Sequence, residues 1–133
     1  MDADIKLIEC PRDAMQGIVD FIPTDQKIKY INQLLKVGFH TIDVGSFVSH
    51  KSIPQLKDTS KVLSSIDLGE TISRLLVIIA NLRGAYEACE YDQIDYLGFP
   101  LSVSEEFQKR NTNKTIYESF SVLQDIQNIC IKK

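Results

Sequence analysis

The feature that most constrains the fold is an alternation of strand and helix patterns that occurs four times along 133 residues. Four apolar runs rich in β-branched residues are typical of strands, at 5–10, 39–47, 74–81 and 93–99. Each strand–helix unit takes roughly 33 residues, which is normal for this motif. Alternation of this kind predicts an α/β fold with a parallel sheet and helical crossovers.

The segments between and after these strands carry helix signals. Thr24 is a predicted N-cap, and Gly38 is placed where a C-terminal glycine belongs. A weaker helix is predicted over 59–66, and Asn81 is expected to cap the next helix. The last helix opens with a capping box from Thr115 to Glu118.

Four such units leave three architectures open: half of an eight-stranded barrel, a small flavodoxin-like layer, or a truncated Rossmann sheet. The first strand is not followed by G-x-G-x-x-G, and the sequence has no P-loop, so phosphate binding by a glycine-rich turn has no support. No linker or sequence repeat divides the units. We therefore expect one domain over residues 1–133.

Composition excludes several classes of protein. The 15 basic and 18 acidic residues give a net charge of -3 without any block of like charge, so nucleic-acid binding is not expected. The longest apolar run, 75–80, is too short to cross a bilayer, and the first residues lack a signal-peptide pattern. Three cysteines far apart favour reduced thiols used in packing. We expect a cytoplasmic protein that does not bind membranes.

Polar side chains cluster just after the predicted strand ends. Chemistry in parallel α/β folds lies at the carboxyl ends of strands, so these residues predict one shared site. They are Arg12, Asp13 and Gln16; Asp43, Ser46 and Ser49; Asn81 and Arg83; Ser102 and Ser104.

Four stretches in this order resemble a known family: "IECPRDAMQ", "TIDVGSFVSHKSIPQLKD", "NLRG" and "SEEFQKRNTNKTIYESF". They are similar to the 3-hydroxy-3-methylglutaryl-CoA lyases, aldolase-like metal-dependent barrels whose first strand ends in Arg-Asp. The resemblance implies that the chain is the N-terminal half of a (β/α)8 TIM barrel with its site at the C-terminal face. It also implies an acyl-CoA substrate that is cleaved to acetyl-CoA and acetoacetate.

The same resemblance implies roles for five residues. Asp13 would bind a divalent metal, Mg²⁺ or Mn²⁺. Arg12 would stabilise the developing enolate, with Gln16 nearby, and the carboxylate of Asp43 would belong to the site. Ser46 would lie beside the substrate. These roles agree with the chemistry, because an arginine and a metal ion both stabilise the negative charge that carbon–carbon cleavage leaves on an enolate oxygen.

The sequence departs from the family pattern in three ways. A full barrel needs about 250 residues, and the family's later metal ligands, a His-x-His pair and an asparagine, have no counterpart here. His40 and His50 lie in the second unit and cannot be that pair. Ala14 replaces a frequent glycine, and Asp43 replaces a frequent glutamate. We therefore expect a chain that is inactive alone, and that forms a homo-oligomer or needs the missing half barrel.

Two alternatives remain open. The second hypothesis after the lyase is a non-catalytic half-barrel remnant or self-associating module. The related acyl-CoA condensing enzymes of the Arg-Asp barrels are a second possibility, which "GSFVSHKSIPQLKD" disfavours relative to the lyases. For Asn81 and Arg83, capping a helix is a simpler expectation than contact with a ligand.

Overall fold

The computed structural model describes residues 5–131, in which four parallel strands form one sheet in the order β1-β2-β3-β4. The strands are β1 (Ile8–Glu9), β2 (Thr41–Ser46), β3 (Arg74–Ile78) and β4 (Ile94–Gly98). The helices are α1 (Pro11–Gln16), α2 (Thr24–Val37), α3 (Thr59–Leu63), α4 (Leu82–Ala88), α5 (Glu105–Thr112) and α6 (Ile116–Ile131), and a 3₁₀ turn spans Pro54–Leu56.

The consecutive strand order decides between the architectures that the sequence left open. A flavodoxin-like or Rossmann sheet reverses its strand order at a switch point, whereas a barrel adds each strand beside the previous one. Every neighbouring pair here is parallel and sequential. The predicted α/β architecture of four βα units, as in the first half of a TIM barrel, is confirmed.

The core lies between the sheet and the helices. Leu75, Val77 and Ile79 are fully buried at alternate positions and pack in one cluster with Ile42 and Ile31. The opposite face of β3 carries Leu76 and Ile78, which are only half-buried. Alternation of this kind places one face of the sheet against helices and the other toward the interior of the predicted barrel.

The first strand differs from its prediction. We expected a buried strand over 5–10, but β1 has only two residues, and Ile8 keeps 56% of its surface exposed. Within residues 5–131 the strand lies at the edge of the sheet, where its one partner is β2. The apolar pattern alone does not distinguish an edge strand from a central one.

Two helices, α1 and α5, were not predicted from the sequence, although both carry recognised start signals. Pro11 occupies the first position of α1, where a missing N–H costs nothing. Ser104 caps α5 by accepting a hydrogen bond from the Phe107 amide, and Glu105 and Glu106 follow in its first turn. The segment after β1 is therefore a short helix and not a turn.

The helix α2 begins one residue earlier than its predicted cap implies. Pro23 occupies the N-cap position, and Thr24 is already helical, with its hydroxyl donating to Asp58 at 2.8 Å. The helix ends as predicted, because Gly38 adopts the left-handed conformation at φ 81°.

A buried cluster around Lys27 joins α2 to the 3₁₀ turn. The Lys27 side chain is 2% exposed, and its ammonium donates to an Asp58 carboxylate oxygen at 2.7 Å and to the Gln55 carbonyl. The Phe21 ring lies 4.1 Å from the same nitrogen. A buried charge needs this degree of compensation, because desolvation of an ammonium is expensive.

The Gln55 side chain fixes the loop between α1 and α2. Its amide nitrogen donates to the carbonyls of Ile18 and Asp20, and its oxygen accepts from the Ile22 amide at 2.9 Å. Gln108 does the same for the loop after β4, where it accepts from the Ser102 amide and donates to the Pro100 carbonyl. Each buried amide satisfies main-chain groups that the loop leaves unpaired.

The predicted capping box at the start of α6 is confirmed. Thr115 Oγ1 accepts from the Glu118 amide at 3.0 Å, and the Glu118 carboxylate accepts from the Thr115 amide at 2.7 Å. The hydrogen bond from the Thr115 backbone is the main cause that lowers the pKa of Glu118. None of the helices within residues 5–131 has the length and apolar character needed to cross a membrane.

Replacement of Glu118 by glutamine should change how stability depends on acid. A lowered pKa means that the Glu118 carboxylate stabilises the fold above its unfolded pKa of 4.5, and that this contribution is lost as pH falls through the folded value. Glutamine keeps the capping geometry but does not titrate. Between pH 3 and 7, the free energy of unfolding measured in urea should therefore fall less with acid for Glu118→Gln than for wild type. Identical pH profiles would contradict this.

The glycine at position 84 is required by a close approach of two backbones. A Cβ atom on Gly84 would lie 2.6 Å from the Phe47 carbonyl oxygen, which a rotamer change cannot relieve. We expect Gly84→Ala to lower the free energy of unfolding by about 1–3 kcal/mol. The control is Gly17→Ala, because nothing lies within 4 Å of a Cβ there. Equal denaturation midpoints for the two variants would refute the steric argument.

Candidate functional site

A groove of about 620 Å³ lies at the carboxyl ends of the strands, where the sequence placed the site. Residues that follow each of the four strands contribute to it. The lining comprises Arg12, Gln16, Val48, Ser49, Ser52, Ile53, Ile78, Ala80, Asn81, Gly98, Phe99, Pro100, Asn111, Thr112 and Lys114. Parallel strands point their carboxyl ends to one edge, so side chains distant in sequence meet here.

Arg12 on α1 lines this groove and makes a two-pronged contact with Asp43 on β2, which lies outside the lining. Arg12 Nη2 lies 2.6 Å from Asp43 Oδ2, and Arg12 Nε lies 3.0 Å from the same oxygen. The Asp43 side chain is 6% exposed and that of Arg12 is 15% exposed. A paired geometry of this kind fixes the plane of the guanidinium.

The other end of the guanidinium contacts α1 itself. Arg12 Nη1 donates to Asp13 Oδ1 and to Gln16 Oε1, both at 3.0 Å. A guanidinium has five N–H donors. Among the hydrogen bonds of residues 5–131, Nη2 makes a single one, to Asp43, which leaves one N–H of that nitrogen without a protein partner. The guanidinium of Arg12 is thus held by three side chains, and one of its N–H groups has no partner among the described residues.

Burial and pairing act in opposite directions on the two charged groups. Burial raises the pKa of Asp43, while the hydrogen bonds and charge of Arg12 oppose that rise. For Arg12, burial disfavours the charged form, but the hydrogen bond and charge of Asp43 outweigh it and raise its pKa. Both effects of Asp43 favour the protonated guanidinium, which is the ordinary state of an arginine at neutral pH.

Ser46 lies at the end of β2 but does not line the groove. The side chain is 1% exposed, and its hydroxyl donates to the Ile78 carbonyl at 3.2 Å and accepts from the Val48 amide. These contacts hold the backbone that leads into the groove wall at Val48 and Ser49. Its direct contact with a substrate stays a prediction.

The remaining polar residues divide into two groups. Asn81 and Ser49 line the groove, and the Asn81 side chain also caps α4 by accepting from the Gly84 amide at 2.9 Å. Arg83 pairs with Glu87 one turn along α4 and is absent from the lining, as are Ser102 and Ser104. The capping role expected for Asn81 is confirmed.

The known proteins that are similar in sequence and those that are similar in structure belong to the same family. No protein-family model matches the chain. The rat cytoplasmic 3-hydroxy-3-methylglutaryl-CoA lyase is 35% identical over 123 residues, which is 92% of this chain and 35% of that protein. The hydroxymethylglutaryl-CoA lyase YngG of Bacillus subtilis is 35% identical over 118 residues, or 89% of this chain and 39% of that protein. The chain is homologous to the hydroxymethylglutaryl-CoA lyases over part of their length.

Solved structures of lyases agree with this assignment. The hydroxymethylglutaryl-CoA lyase of Bacillus subtilis matches 96% of this chain with a TM-score of 0.88 at 34% identity, and 43% of its own chain is covered. A lyase from Acinetobacter baumannii, in complex with coenzyme A and 3-methylmalate, matches 91% with a TM-score of 0.84 at 38% identity, and 39% of its own chain is covered. The chain spans about a third of the length of the curated lyases it matches.

The described residues do not by themselves fit the divalent metal that the lyase resemblance implies. The Asp13 carboxylate is a suitable hard oxygen ligand, and its side chain is 69% exposed. However, no group of three or more histidine, cysteine, aspartate or glutamate residues within 5–131 is arranged to hold a metal ion. One carboxylate does not define a coordination geometry, so the rest of such a site would need further ligands.

Lys114, Phe99 and Ser52 are among the groove residues that were not singled out in the sequence. Lys114 precedes the capping box of α6 and is a second basic residue in the lining, besides Arg12. Asn111, in the family-like stretch "SEEFQKRNTNKTIYESF", also lines the groove. A basic residue just before a helix start is a common pattern, so sequence alone gave no reason to choose it.

Proposed function

We propose that this chain supplies the Arg-Asp part of a hydroxymethylglutaryl-CoA lyase-type active site. The reaction would cleave a carbon–carbon bond of 3-hydroxy-3-methylglutaryl-CoA to give acetyl-CoA and acetoacetate. The observation that carries the proposal is the Arg12 guanidinium, held by Asp43 at the mouth of the groove with one N–H free. The lyase names of the homologues supply the substrate class.

The chemistry assigned to Arg12 follows from the charge that develops during cleavage. When the bond breaks, the electron pair passes to the acetyl thioester fragment, and negative charge collects on its carbonyl oxygen as an enolate. A fixed N–H donor aimed at that oxygen stabilises the transition state more than the ground state. Asp43 acts as a positioning residue in this proposal, because it orients the guanidinium and does not line the groove.

Asp13 and Gln16 form the outer part of the proposed site. We propose that Asp13 gives one oxygen ligand to Mg²⁺ or Mn²⁺ and that the other ligands come from outside the described residues. When bound, such a cation would polarise substrate oxygens. Gln16 lines the groove and already accepts from Arg12, so its amide group has a donor to offer the substrate. Ser46 contributes through the backbone it fixes.

Completion of the barrel is the second part of the proposal. Within the described sheet, β1 pairs only with β2 and β4 pairs only with β3, so each has one edge without a strand. Exposed edges invite pairing. We propose that the remaining barrel strands come from further polypeptide or from a second copy of this chain. We further propose a cytoplasmic location, as the names of the rat and human relatives print.

The test is complementation. The chain is co-expressed with the part of the Bacillus subtilis lyase that it does not cover, and cleavage of 3-hydroxy-3-methylglutaryl-CoA is assayed with Mg²⁺. We expect acetoacetate from the purified complex and none from this chain alone. A complex that co-purifies with native-like circular dichroism but yields no acetoacetate would refute the lyase proposal.

A non-catalytic half barrel is the second candidate, and the single carboxylate available for a metal favours it. Light scattering on the chain alone, combined with the complementation assay, distinguishes the enzyme from the non-catalytic module. A dimer without lyase activity in any complemented form supports a self-associating module. Activity after complementation supports the enzyme.

A further inference from the structure

Two of the three cysteines end neighbouring helices. Cys89 is the C-cap residue of α4, and Cys130 lies in the last turn of α6. Both helices follow strands of the same parallel sheet, so they run in the same direction and their C-terminal ends meet. Cys89 is half-buried and Cys130 is exposed, and both are free thiols.

The space around the two thiols is a shared groove of about 320 Å³. Cys89 and Cys130 line it together with Ala88, Tyr91, Ile94 and Leu97. On its other side, Cys89 faces a second groove between the same helices, with Asn128 and Ile129 of α6 in its lining. Cys89 therefore lines both grooves between α4 and α6, and it shares the smaller one with Cys130.

The Cys89 thiol also affects the pKa of Cys130. Burial is the main cause that raises the pKa of Cys130, and the charge and hydrogen bond of Cys89 raise it further. By contrast, the pKa of Cys10 is raised by burial and by the nearby Asp43 carboxylate, so Cys10 belongs to the surroundings of the Arg12 site. The third cysteine therefore serves as an internal control for the pair.

We propose that Cys89 and Cys130 form a reversible disulfide that ties the end of α6 to the end of α4. A disulfide of the glutathione class is the oxidant. One protein thiolate attacks it, forms a mixed disulfide and releases one thiol. The second protein thiol then displaces the other, so the two protein thiols lose two hydrogens and two electrons while the oxidant becomes two thiols. This proposal does not depend on the lyase reaction.

The bridge would have a defined structural effect. It closes a loop that contains β4, α5 and α6, the last βα unit and the one at the sheet edge. A cross-link restricts the unfolded chain more when the loop it closes is long. Oxidation would therefore add a covalent link between the edge unit and the neighbouring β3–α4 unit, which in the reduced protein are joined by strand pairing, hydrogen bonds and packing.

The experiment uses the whole purified chain, first reduced and then equilibrated with oxidised glutathione. We expect a loss of about 2 Da by intact mass and a non-reducing peptide map that joins the Cys89 and Cys130 peptides. We expect Tm to rise by roughly 5–15 °C and to return on reduction. Cys10→Ser should keep both changes, and Cys89→Ser and Cys130→Ser should lose both.

Three results would overturn the proposal. The first is a map in which both thiols carry glutathione and no bridge. The second is a bridge that includes Cys10. The third is a rise in Tm that persists in Cys89→Ser or Cys130→Ser. The peptide map of the wild-type chain decides the matter even if a serine variant fails to fold.

Discussion

Replacement of Arg12 by lysine in the complemented lyase should lower kcat/KM by about 100–1000-fold. Lysine keeps the charge but loses the planar fork that contacts both Asp43 and Asp13. A point charge on a flexible stem does not hold a donor at a fixed place when charge develops on the enolate oxygen. The loss should appear mainly in kcat, because the interaction belongs to the transition state.

A matched control uses another arginine of the same chain. Arg110 on α5 is exposed and pairs with Glu106 one turn away, so Arg110→Lys should leave kcat/KM within about twofold of wild type. Asp43→Asn tests the positioning role, since an amide keeps the shape but removes the charge that orients Arg12. The double variant Arg12→Lys with Asp43→Asn should then be little worse than the worse single variant. Additive losses would mean that the two residues act separately.

Replacement of Lys27 by methionine should lower the free energy of unfolding by about 3–5 kcal/mol. Methionine fills a similar volume but leaves the Asp58 carboxylate without its main partner, and the Gln55 carbonyl loses a donor. The penalty comes from the orphaned charge and not from a lost attraction alone. Urea denaturation monitored by circular dichroism measures it.

Two further variants separate the causes. Lys29→Met removes an exposed lysine from the same helix, one whose contact with Asp25 is 3.7 Å, and should cost less than about 1 kcal/mol. Lys27→Met combined with Asp58→Leu removes both charges, and we expect it to recover part of the loss. If the double variant is as unstable as the sum of the single ones, the buried ion pair is not the source of the effect.

Sequence patterns predicted the parts of this fold that depend on local periodicity. The strands β2, β3 and β4, the glycine that ends α2 and the capping box of α6 are all where the pattern placed them. The missed helices α1 and α5 are short, with six and eight residues, and give little periodic signal. Their only local signals are Pro11 at the start of α1 and the Ser104 cap of α5.

The candidate site was predictable in position but not in geometry. Arg12 and Asp43 were named because they follow neighbouring strands, yet no local pattern shows that they form a two-pronged contact across 31 positions. The burial of Lys27, Gln55 and Gln108 was equally hidden, because such residues are exposed in most proteins. Only the folded structure shows which main-chain polar groups are shielded from water and therefore need these side chains as hydrogen-bond partners.

The way Gln55 holds the loop after α1 has a consequence for how this surface tolerates change. All three of its hydrogen bonds reach main-chain atoms, at positions 33 to 37 residues earlier in the chain. None of these three hydrogen bonds depends on the side chains at 18, 20 and 22. A library that randomises those three positions should therefore yield mostly well-folded members. A library that randomises position 55 alone should yield few folded members.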